Sequence, residues 1–356
     1  MPHNRYIRQT TLKEFGPESQ ARLKAAKILV VGLGGLGVPA LQYLNAMGVG
    51  TLGLVEGDCI DIHNLQRQVL YAENEVGKSK ISIALKKLQA QNSETQLQSH
   101  PTYLTTANAL EIIKSYDLVL DASDNFATRY LINDACVILN KPFIYGALHG
   151  FEGQVSVFNY NNGPTYRCLF PTMPSPEEVP NCDENGVLGI IPGIIGSFQA
   201  LEAVKVMTGI GEVLAGKLLV YNGLTQHTRK IGLHKVVRAE PITELQDSYE
   251  LSQCSTIPEI AAKAFAVLYN SAQIIDVREG HEYEQKHLIP SVHIPLVELK
   301  VNLGKLDFTK PIYFICQSGK RSLRAAAIAL EYYPKSVIFS VEGGMQKLLQ
   351  YDVATT

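Results

Sequence analysis

Short apolar runs alternate with helix-like segments along the first two thirds of the chain. Three runs have the length and aliphatic content of strands buried on both faces: Ile28–Val31, Thr51–Val55 and Leu118–Asp121. Helix-like segments follow the first and the third of them, over Val38–Met47 and Asn125–Leu139. Strands that alternate with helices in this way are typical of a doubly wound α/β fold.

The polar stretch Gln246–Ile257 has little apolar content, and Pro258 then restarts a helical pattern. We therefore predict a first domain over residues 1–245, a linker over 246–257, and a second domain over 258–356. The second part also combines strand-like and helix-like runs, so we expect a smaller α/β domain there. A chain of 356 residues is long enough for two separate cores.

Composition and charge narrow the classes of partner. The net charge of −2 gives no electrostatic footprint for nucleic acid. We see no apolar run long enough for a membrane span, and the polar segment Met1–Thr11 lacks the apolar core of a signal sequence. Six scattered cysteines do not resemble a disulfide framework, which predicts a reducing, cytoplasmic setting.

A glycine turn, Gly32–Gly37, follows the first strand and precedes the first helix. Backbone N–H groups at a helix N-terminus hold phosphate, and glycines let the phosphate approach the backbone. Glu56 ends the second strand, where a carboxylate accepts hydrogen bonds from ribose hydroxyls. Because the turn also fits the dinucleotide pattern G-x-G-x-x-G, an NAD enzyme explains these two features equally well.

The charged residues further along the chain favour ATP. Arg67 and Lys80 supply two cations, which suit a triphosphate, and Asp124 supplies a carboxylate after a strand, which suits Mg²⁺. Taken singly, each residue has a simpler explanation. Arg67 and Lys80 are also consistent with solvated helix-face charges, and Asp124 with a helix N-cap. Asp121 is expected to share that capping role or to order the loop.

Several motifs together resemble the ThiF/MoeB-type adenylyltransferases, relatives of ubiquitin-activating enzymes. The resemblance covers roughly residues 1–235 and rests on Arg5–Gln9, Gly32–Gly37, Asn64–Gln68, Lys80 and Asp121–Asn125. It implies a homodimer that uses ATP to adenylate the C-terminal Gly-Gly carboxylate of a small ubiquitin-like sulfur-carrier protein.

The same resemblance implies roles for individual residues. Asp124 would bind Mg²⁺, and Arg8 would reach into the site of the partner subunit. The residues that it assigns to the nucleotide are Gly34, Gly35, Glu56, Asn64, Arg67, Gln68, Lys80, Asp124 and Asn125.

A second motif, Cys316–Ser322, lies between a strand-like run, Ile312–Ile315, and an Ala-rich helical run, Leu323–Leu330. Backbone N–H groups and the neighbours Lys320 and Arg321 are surroundings that keep a cysteine as thiolate. The alternative is a buried structural cysteine. Four residues separate the cysteine from the arginine, one fewer than in cysteine phosphatases, and the tighter loop suits a sulfane-sulfur adduct.

This region resembles a rhodanese domain over about residues 255–350. The resemblance rests on the cysteine loop together with Ile275–Glu279, the stretch from His287 to Pro295, and Glu342–Gly344. It implies that Cys316 carries a persulfide, with Arg321 in the catalytic loop, and we expect Asp276 and Arg278 to be scaffold.

The sequence departs from its relatives where many of them bind zinc through two Cys-x-x-Cys pairs. Only Cys168 remains of the first pair, because Thr165 replaces the other cysteine, and Arg238–Leu245 contains none. Tetrahedral thiolate sites need all four ligands, so we predict no zinc and a packed thiol at Cys168. Cys182, in a Pro-rich segment, aligns with a cysteine that some relatives link to the carrier; a loop cysteine without a role is equally consistent.

We therefore expect a two-step enzyme, an adenylyltransferase and sulfurtransferase, with a desulfurase persulfide or thiosulfate as sulfur donor. Two alternatives stay open. In the first, the second domain only recruits a separate sulfur donor. In the other, the first domain activates a ubiquitin-like modifier through a Cys182 thioester. Nothing in the residues selects among molybdopterin, thiamine, cysteine and tRNA thiolation pathways.

Overall fold

The structure, a computed structural model, divides into two compact units, Met1–Leu251 and Ser252–Thr356. The residues that it describes are 5–174, 186–236, 241–249, 257–269, 272–333, 335–351 and 353–355, without the side chains of Lys320 and Glu331.

An eight-stranded sheet forms the centre of the first unit, in the order β3-β2-β1-β4-β5-β6-β7-β8. The first five strands in this order are parallel, and the last three are added antiparallel. The strands are β1 Lys27–Val31, β2 Thr51–Val55, β3 Gln96–His100, β4 Leu118–Asp121, β5 Phe143–His149, β6 Glu152–Phe158, β7 Lys217–Asn222 and β8 His227–Gly232.

Helices cover both faces of this sheet. Ile28 and Val30 of β1 belong to one apolar core, and the alternate residues Leu29 and Val31 belong to another on the opposite face. The predicted doubly wound α/β fold is thereby confirmed. The helices are α1 Ile7–Thr10, α2 Gly16–Ala25, α3 Gly37–Ala46, α4 Lys80–Gln91, α5 Ala109–Lys114, α6 Phe126–Ile138, α7 Tyr166–Leu169 and α8 Ile190–Thr208.

Two expectations about the first unit are wrong. Leu118–Asp121 is the fourth strand, not the third, because the sequence analysis missed β3, an edge strand whose five residues include two glutamines, a serine and a histidine. Helix α8 is long and apolar enough to span a membrane by length and composition, although no such run was expected. Its Ile195 and Ala203 are fully buried, and it packs against α3, β5 and β6, so it is a core helix of this domain.

A five-stranded parallel sheet forms the second unit, in the order β11-β10-β12-β13-β9. Apolar cores lie on both faces, with Ile275 and Phe314 in one and Ile274 and Ile315 in the other. The expected smaller α/β domain is confirmed. Its elements are β9 Glu259–Ile260, α9 Ala262–Leu268, β10 Gln273–Asp276, α10 Gly280–Gln285, β11 Val292–His293, α11 Leu299–Asn302, β12 Ile312–Ile315, α12 Lys320–Tyr332, β13 Ile338–Val341 and α13 Gly344–Leu348.

Gly53 in β2 provides a test of the core. A Cβ atom there would overlap the ring of Tyr116, which is fully buried. We expect Gly53→Ala to destabilise the first domain by about 1–3 kcal/mol, the usual cost of overpacking. Thermal unfolding would measure the effect. Gly193→Ala is the matched control, since that Cβ would meet nothing within 4 Å. Equal melting temperatures for the two variants would contradict the expected packing.

Candidate functional site

The glycine turn between β1 and α3 lies directly against the end of β4. A Cβ atom on Gly32, whose φ is +95°, would be 2.7 Å from the carbonyl oxygen of Ala122. A Cβ atom on Gly37 would overlap the carbonyl oxygen of Gly32 itself. Only glycine fits at either position, and the turn and the β4 loop therefore share the carboxyl edge of the sheet.

The segment Asn64–Gln68 packs beside this turn. A Cβ atom on Gly35 would be 3.3 Å from Cγ of Arg67, and one on Gly34 would be 3.7 Å from Nε2 of Gln68. Gln68 is buried, and its Oε1 is a buried atom without a hydrogen-bond partner. The structure thus brings together four residues that the sequence analysis had grouped.

A short helical turn holds this segment in place. The side-chain oxygen of Asn64 accepts a hydrogen bond from the backbone N–H of Asp61 at 3.2 Å, so Asn64 has a capping function. Arg67 is half-buried and donates from Nη1 to the carbonyl oxygen of His63 at 3.0 Å. A fully solvated helix-face charge therefore does not describe Arg67.

Glu56 is fixed by the backbone around it. Its Oε2 accepts a hydrogen bond from Leu33 N–H in the glycine turn at 2.9 Å. Its Oε1 accepts from the N–H groups of Gly57 and Asp58 at 2.9 and 3.0 Å. The side chain is 8% exposed, so the carboxylate is held rigidly at the end of β2.

Lys80 is a buried cation between two carboxylates. It is the first residue of α4 and is 5% exposed, so the alternative of a solvated helix-face charge is wrong. Its Nζ lies 3.0 Å from Oδ2 of Asp58 and 4.0 Å from Oε2 of Glu56. The sequence analysis missed Asp58, although a second acidic residue two positions after the strand-ending Glu56 was a readable signal.

The loop after β4 contains the predicted metal ligand. Asp121 is buried, and its Oδ1 accepts hydrogen bonds from the N–H and hydroxyl of Ser123 at 3.0 and 2.6 Å, so it orders the loop. Burial raises the pKa of Asp121, and the nearby charge of Arg129 opposes this rise. Asn125 caps α6 by accepting from Thr128 N–H at 2.9 Å. The N-cap alternative for Asp124 is therefore wrong, and Asp124 is an exposed carboxylate two residues after Ala122, which lies against the glycine turn.

Arg129, which the sequence analysis also missed, holds the backbone of this loop. It is 9% exposed, and Nη2 donates to the carbonyl oxygen of Ser123 at 3.2 Å. Its guanidinium lies 5.5 Å from the ring of Phe126 and 5.6 Å from that of Tyr145, distances typical of cation–π contacts.

Arg8 does not join these residues in its own chain. Helix α1 is anchored by Gln9, which donates to the carbonyl oxygen of Met47 at 2.9 Å, and by Tyr6, which packs on Gly48. Both contacts lie just before β2, whereas Glu56 lies just after it. The five residues of β2 span roughly 15 Å, so α1 and the candidate site are at opposite edges of the sheet.

In the second unit, Cys316 follows β12 directly and is fully buried. Its Sγ accepts a hydrogen bond from Gly319 N–H at 3.2 Å and lies 3.5 Å from the hydroxyl oxygen of Ser322. Ser322 is itself held by Gly319 and Ser340. The sulfur is therefore seated inside its loop, where it accepts from the Gly319 N–H and donates to the hydroxyl oxygen of Ser322.

The expected cationic neighbours of this sulfur need a correction. Arg321 forms a bidentate ion pair with Glu282 at 2.6 and 2.7 Å, so its charge is already neutralised. The side chain of Lys320 lies outside the described part. Arg278 is scaffold as predicted, because it pairs with the buried Asp276 at 2.7 Å.

The cysteines of the zinc comparison are described only in part. Cys168 is half-buried, and its Sγ accepts hydrogen bonds from Thr165 N–H at 3.4 Å and Val236 N–H at 3.3 Å. The thiol is thus a hydrogen-bonded link between two segments and not simply a packed core group. Within the described ranges no group of three or more His, Cys, Asp or Glu residues is arranged to hold a metal ion. Cys182 lies outside the described residues.

Comparison with known families agrees with this geometry. The ThiF family model matches residues 6–239, about two thirds of the chain, and the Rhodanese-like domain model matches residues 262–350. The chain belongs to the ThiF family. It also carries a C-terminal rhodanese-like domain.

Curated ThiF-family relatives match one or both domains. A Thermus thermophilus protein named sulfur carrier protein adenylyltransferase is 52% identical over 65% of this chain and 88% of its own length. A Drosophila ananassae protein named adenylyltransferase and sulfurtransferase MOCS3 is 41% identical over 96% of this chain and 82% of its own. A Zea mays protein of the same name, MOCS3-2, is 39% identical over 92% of this chain and 75% of its own.

Solved structures show the same fold for the first domain. The crystal structure of E. coli MccB with ATP has a TM-score of 0.58 and 21% sequence identity, and covers 66% of this chain and 72% of that one. At this level of identity the likeness concerns the fold alone.

The ion pair between Glu282 and Arg321 predicts a pH dependence for the rhodanese-like domain. Arg321 lowers the pKa of Glu282 to about 2 in the folded chain, against about 4.3 in an unfolded one. Because the folded pKa is the lower one, the stabilisation is complete above about pH 4.3 and is lost as the pH falls toward 2.

Denaturant unfolding of the full chain between pH 6 and 2.5 would measure this loss in the transition of the second domain. Glu282→Gln is expected to flatten the pH dependence, whereas Glu284→Gln, which removes an exposed carboxylate from the same helix, is expected to retain it. An unchanged slope in Glu282→Gln would contradict the assignment.

Proposed function

We propose that this ThiF-family chain adenylates the C-terminal Gly-Gly carboxylate of a ubiquitin-like sulfur-carrier protein and then transfers sulfur to it. The observation that carries the proposal is the cluster at one edge of the sheet: a glycine turn at a helix N-terminus, a fixed carboxylate in Glu56, and the cations Arg67 and Lys80. The names of the Thermus and Drosophila relatives support the same two activities.

In the first step a carrier carboxylate oxygen attacks the α-phosphorus of ATP, and pyrophosphate leaves. The charge that develops on the phosphates is stabilised by Arg67 and Lys80, while Glu56 accepts from the ribose. The exposed Asp124 suits Mg²⁺, which takes one or two protein carboxylates together with substrate phosphates and needs no larger acidic cluster. Bound there, Mg²⁺ would neutralise phosphate charge.

In the second step a persulfide on Cys316 attacks the acyl carbon, and AMP leaves to give an acyl-persulfide. A second thiol then attacks the S–S bond, which releases the carrier thiocarboxylate and leaves a disulfide for reduction. The Gly319 N–H, which donates to Sγ, supports an anionic sulfur at this position. A desulfurase persulfide or thiosulfate supplies the sulfur, and one polypeptide carrying both activities raises the local concentration of donor.

We also propose a homodimer in which Arg8 serves the partner's nucleotide. The position of α1, at the opposite edge of the sheet from Glu56, supports this arrangement because Arg8 has no reach to the site in its own chain. Large apolar side chains are exposed on three helices of this domain, Ile7 of α1, Tyr43 of α3 and Leu201 of α8, and they suit a protein interface.

The remaining proposals concern setting and cofactors. We propose that the protein works in the cytoplasm, away from membranes and nucleic acid, and without structural zinc. The four described cysteines are all free thiols, and the apolar helix α8 contributes to the core. Cys168 alone represents the four zinc ligands of its relatives.

ATP–pyrophosphate exchange with a panel of Gly-Gly carriers tests the first step. We expect carrier-dependent exchange in the wild type and a loss of about 10²-fold or more in Asp124→Ala, since metal-assisted charge neutralisation is worth several kcal/mol. Cys316→Ala should retain exchange and lose sulfur transfer from thiosulfate or a persulfide. Full sulfur transfer by Cys316→Ala would instead make the second domain a recruitment module.

Mixing two inactive variants tests the contribution of Arg8 across the dimer. Arg8→Ala and Asp124→Ala should each be inactive alone. A statistical mixture should recover about a quarter of wild-type exchange, because half of the dimers are mixed and one of their two sites is intact. Mass photometry would verify the dimer. If the subunits exchange and the mixture still recovers no exchange activity, Arg8 acts in the site of its own chain and the proposal is contradicted.

A further inference from the structure

Asp58 and Tyr103 form a chain of hydrogen bonds that ends at Lys80. The Tyr103 hydroxyl donates to Oδ1 of Asp58 at 2.5 Å, and Nζ of Lys80 donates to Oδ2 of the same carboxylate at 3.0 Å. Neither Asp58 nor Tyr103 was singled out by motif or by resemblance. The two oxygens of one carboxylate thus join an exposed tyrosine to a buried lysine.

The backbone brings Asp58 and Lys80 together. The N–H of Lys80 donates to the carbonyl oxygen of Asp58 at 3.0 Å, and the N–H of Ile60 donates to that of Lys78 at 2.9 Å. The segment after β2 therefore runs antiparallel to the residues that lead into α4. This pairing fixes the start of α4, and with it Lys80, beside Asp58.

Tyr103 is held from the other side. It follows β3, and its ring lies against Gly57, where a Cβ atom would be 2.8 Å from the ring. Asn108 donates to the carbonyl oxygen of Tyr103 at 3.0 Å and so anchors the loop. Tyr103 is nevertheless 60% exposed, so it is not a core tyrosine.

Charge explains why Lys80 needs a partner. A cation in the first turn of a helix faces the positive end of the helix dipole, and burial adds a desolvation cost. Two carboxylates offset these costs, Asp58 at 3.0 Å and Glu56 at 4.0 Å. Burial acts to raise the pKa of Asp58, but hydrogen bonds from Tyr103 and Lys80 outweigh it and hold that pKa below the ordinary value. Asp58 therefore stays charged at neutral pH.

We propose that Asp58 and Tyr103 are positioning residues for ATP, which hold Lys80 Nζ 3.0 Å from Asp58 and so prevent a closer ion pair with Glu56. With Asp58 in place, Glu56 remains available to the ribose and Lys80 to the phosphates. Without Asp58, the carboxylate of Glu56 is the remaining partner of Lys80, only 4.0 Å from Nζ. Lys80 and Glu56 would then form a close ion pair with each other instead of binding the nucleotide. This inference rests on the proposed use of ATP and adds two residues to that site.

Isothermal titration of ATP with Mg²⁺ into the full-length protein tests the proposal without relying on turnover. We expect Asp58→Asn to weaken ATP binding about tenfold, and Tyr103→Phe about threefold, effects of the size of one charged hydrogen bond. The double variant should bind no more weakly than Asp58→Asn, because Tyr103 acts through Asp58. Asp58→Glu should recover part of the loss.

Glu73→Gln is the matched control, since it removes an exposed carboxylate from the same domain and should not alter ATP binding. Additive losses in the double variant, or unchanged binding by Asp58→Asn, would overturn the proposal. A crystal structure of Asp58→Asn without nucleotide gives an independent result: Lys80 Nζ should move within 3 Å of Glu56, and an unmoved lysine contradicts the inference. If the wild type itself binds no ATP, the proposed function fails instead.

Discussion

The contact between the glycine turn and the end of β4 is the constraint on which the first domain depends. Gly32 approaches Ala122 so closely that any side chain would separate β1 from β4. Because these two strands are neighbours at the centre of the sheet, their close approach also sets where β2 and its terminal Glu56 lie. The polar residues of the site come from different segments, yet they meet at one edge for this reason.

The charged residues at this edge are fixed before any nucleotide arrives. Backbone N–H groups hold Glu56, a carboxylate and a helix start hold Lys80, and a capped loop precedes α6. Ordering long side chains costs conformational entropy, and in this protein that entropy is lost when the chain folds and not when the nucleotide binds. The site therefore gains specificity for a triphosphate from geometry as well as from charge.

Sequence alone predicted the fold class because β1, β2 and β4 are continuous apolar runs, as buried parallel strands are. It missed β3, since an edge strand composed of QLQSH carries no such run. The functional motifs could be identified from the sequence because the glycine turn, Lys80 and Cys316 lie in the same order as in the families that the chain resembles.

Pairings between distant segments were not readable. The contacts of Asp58 with Tyr103 and of Glu282 with Arg321 join residues about forty positions apart, and no local pattern marks them. The role of Lys80 depended on burial, which only the packed structure defines.

The complete burial of Cys316 has a consequence for the resting protein. Oxidation of a thiol to sulfenic or sulfinic acid depends on contact with dissolved oxidants, and this sulfur is enclosed by its loop. The same enclosure restricts the approach of a sulfur donor, because the Cys316 sulfur itself has to attack the donor sulfur. Sulfur loading and oxidation by peroxide therefore require the same opening of the loop around Cys316.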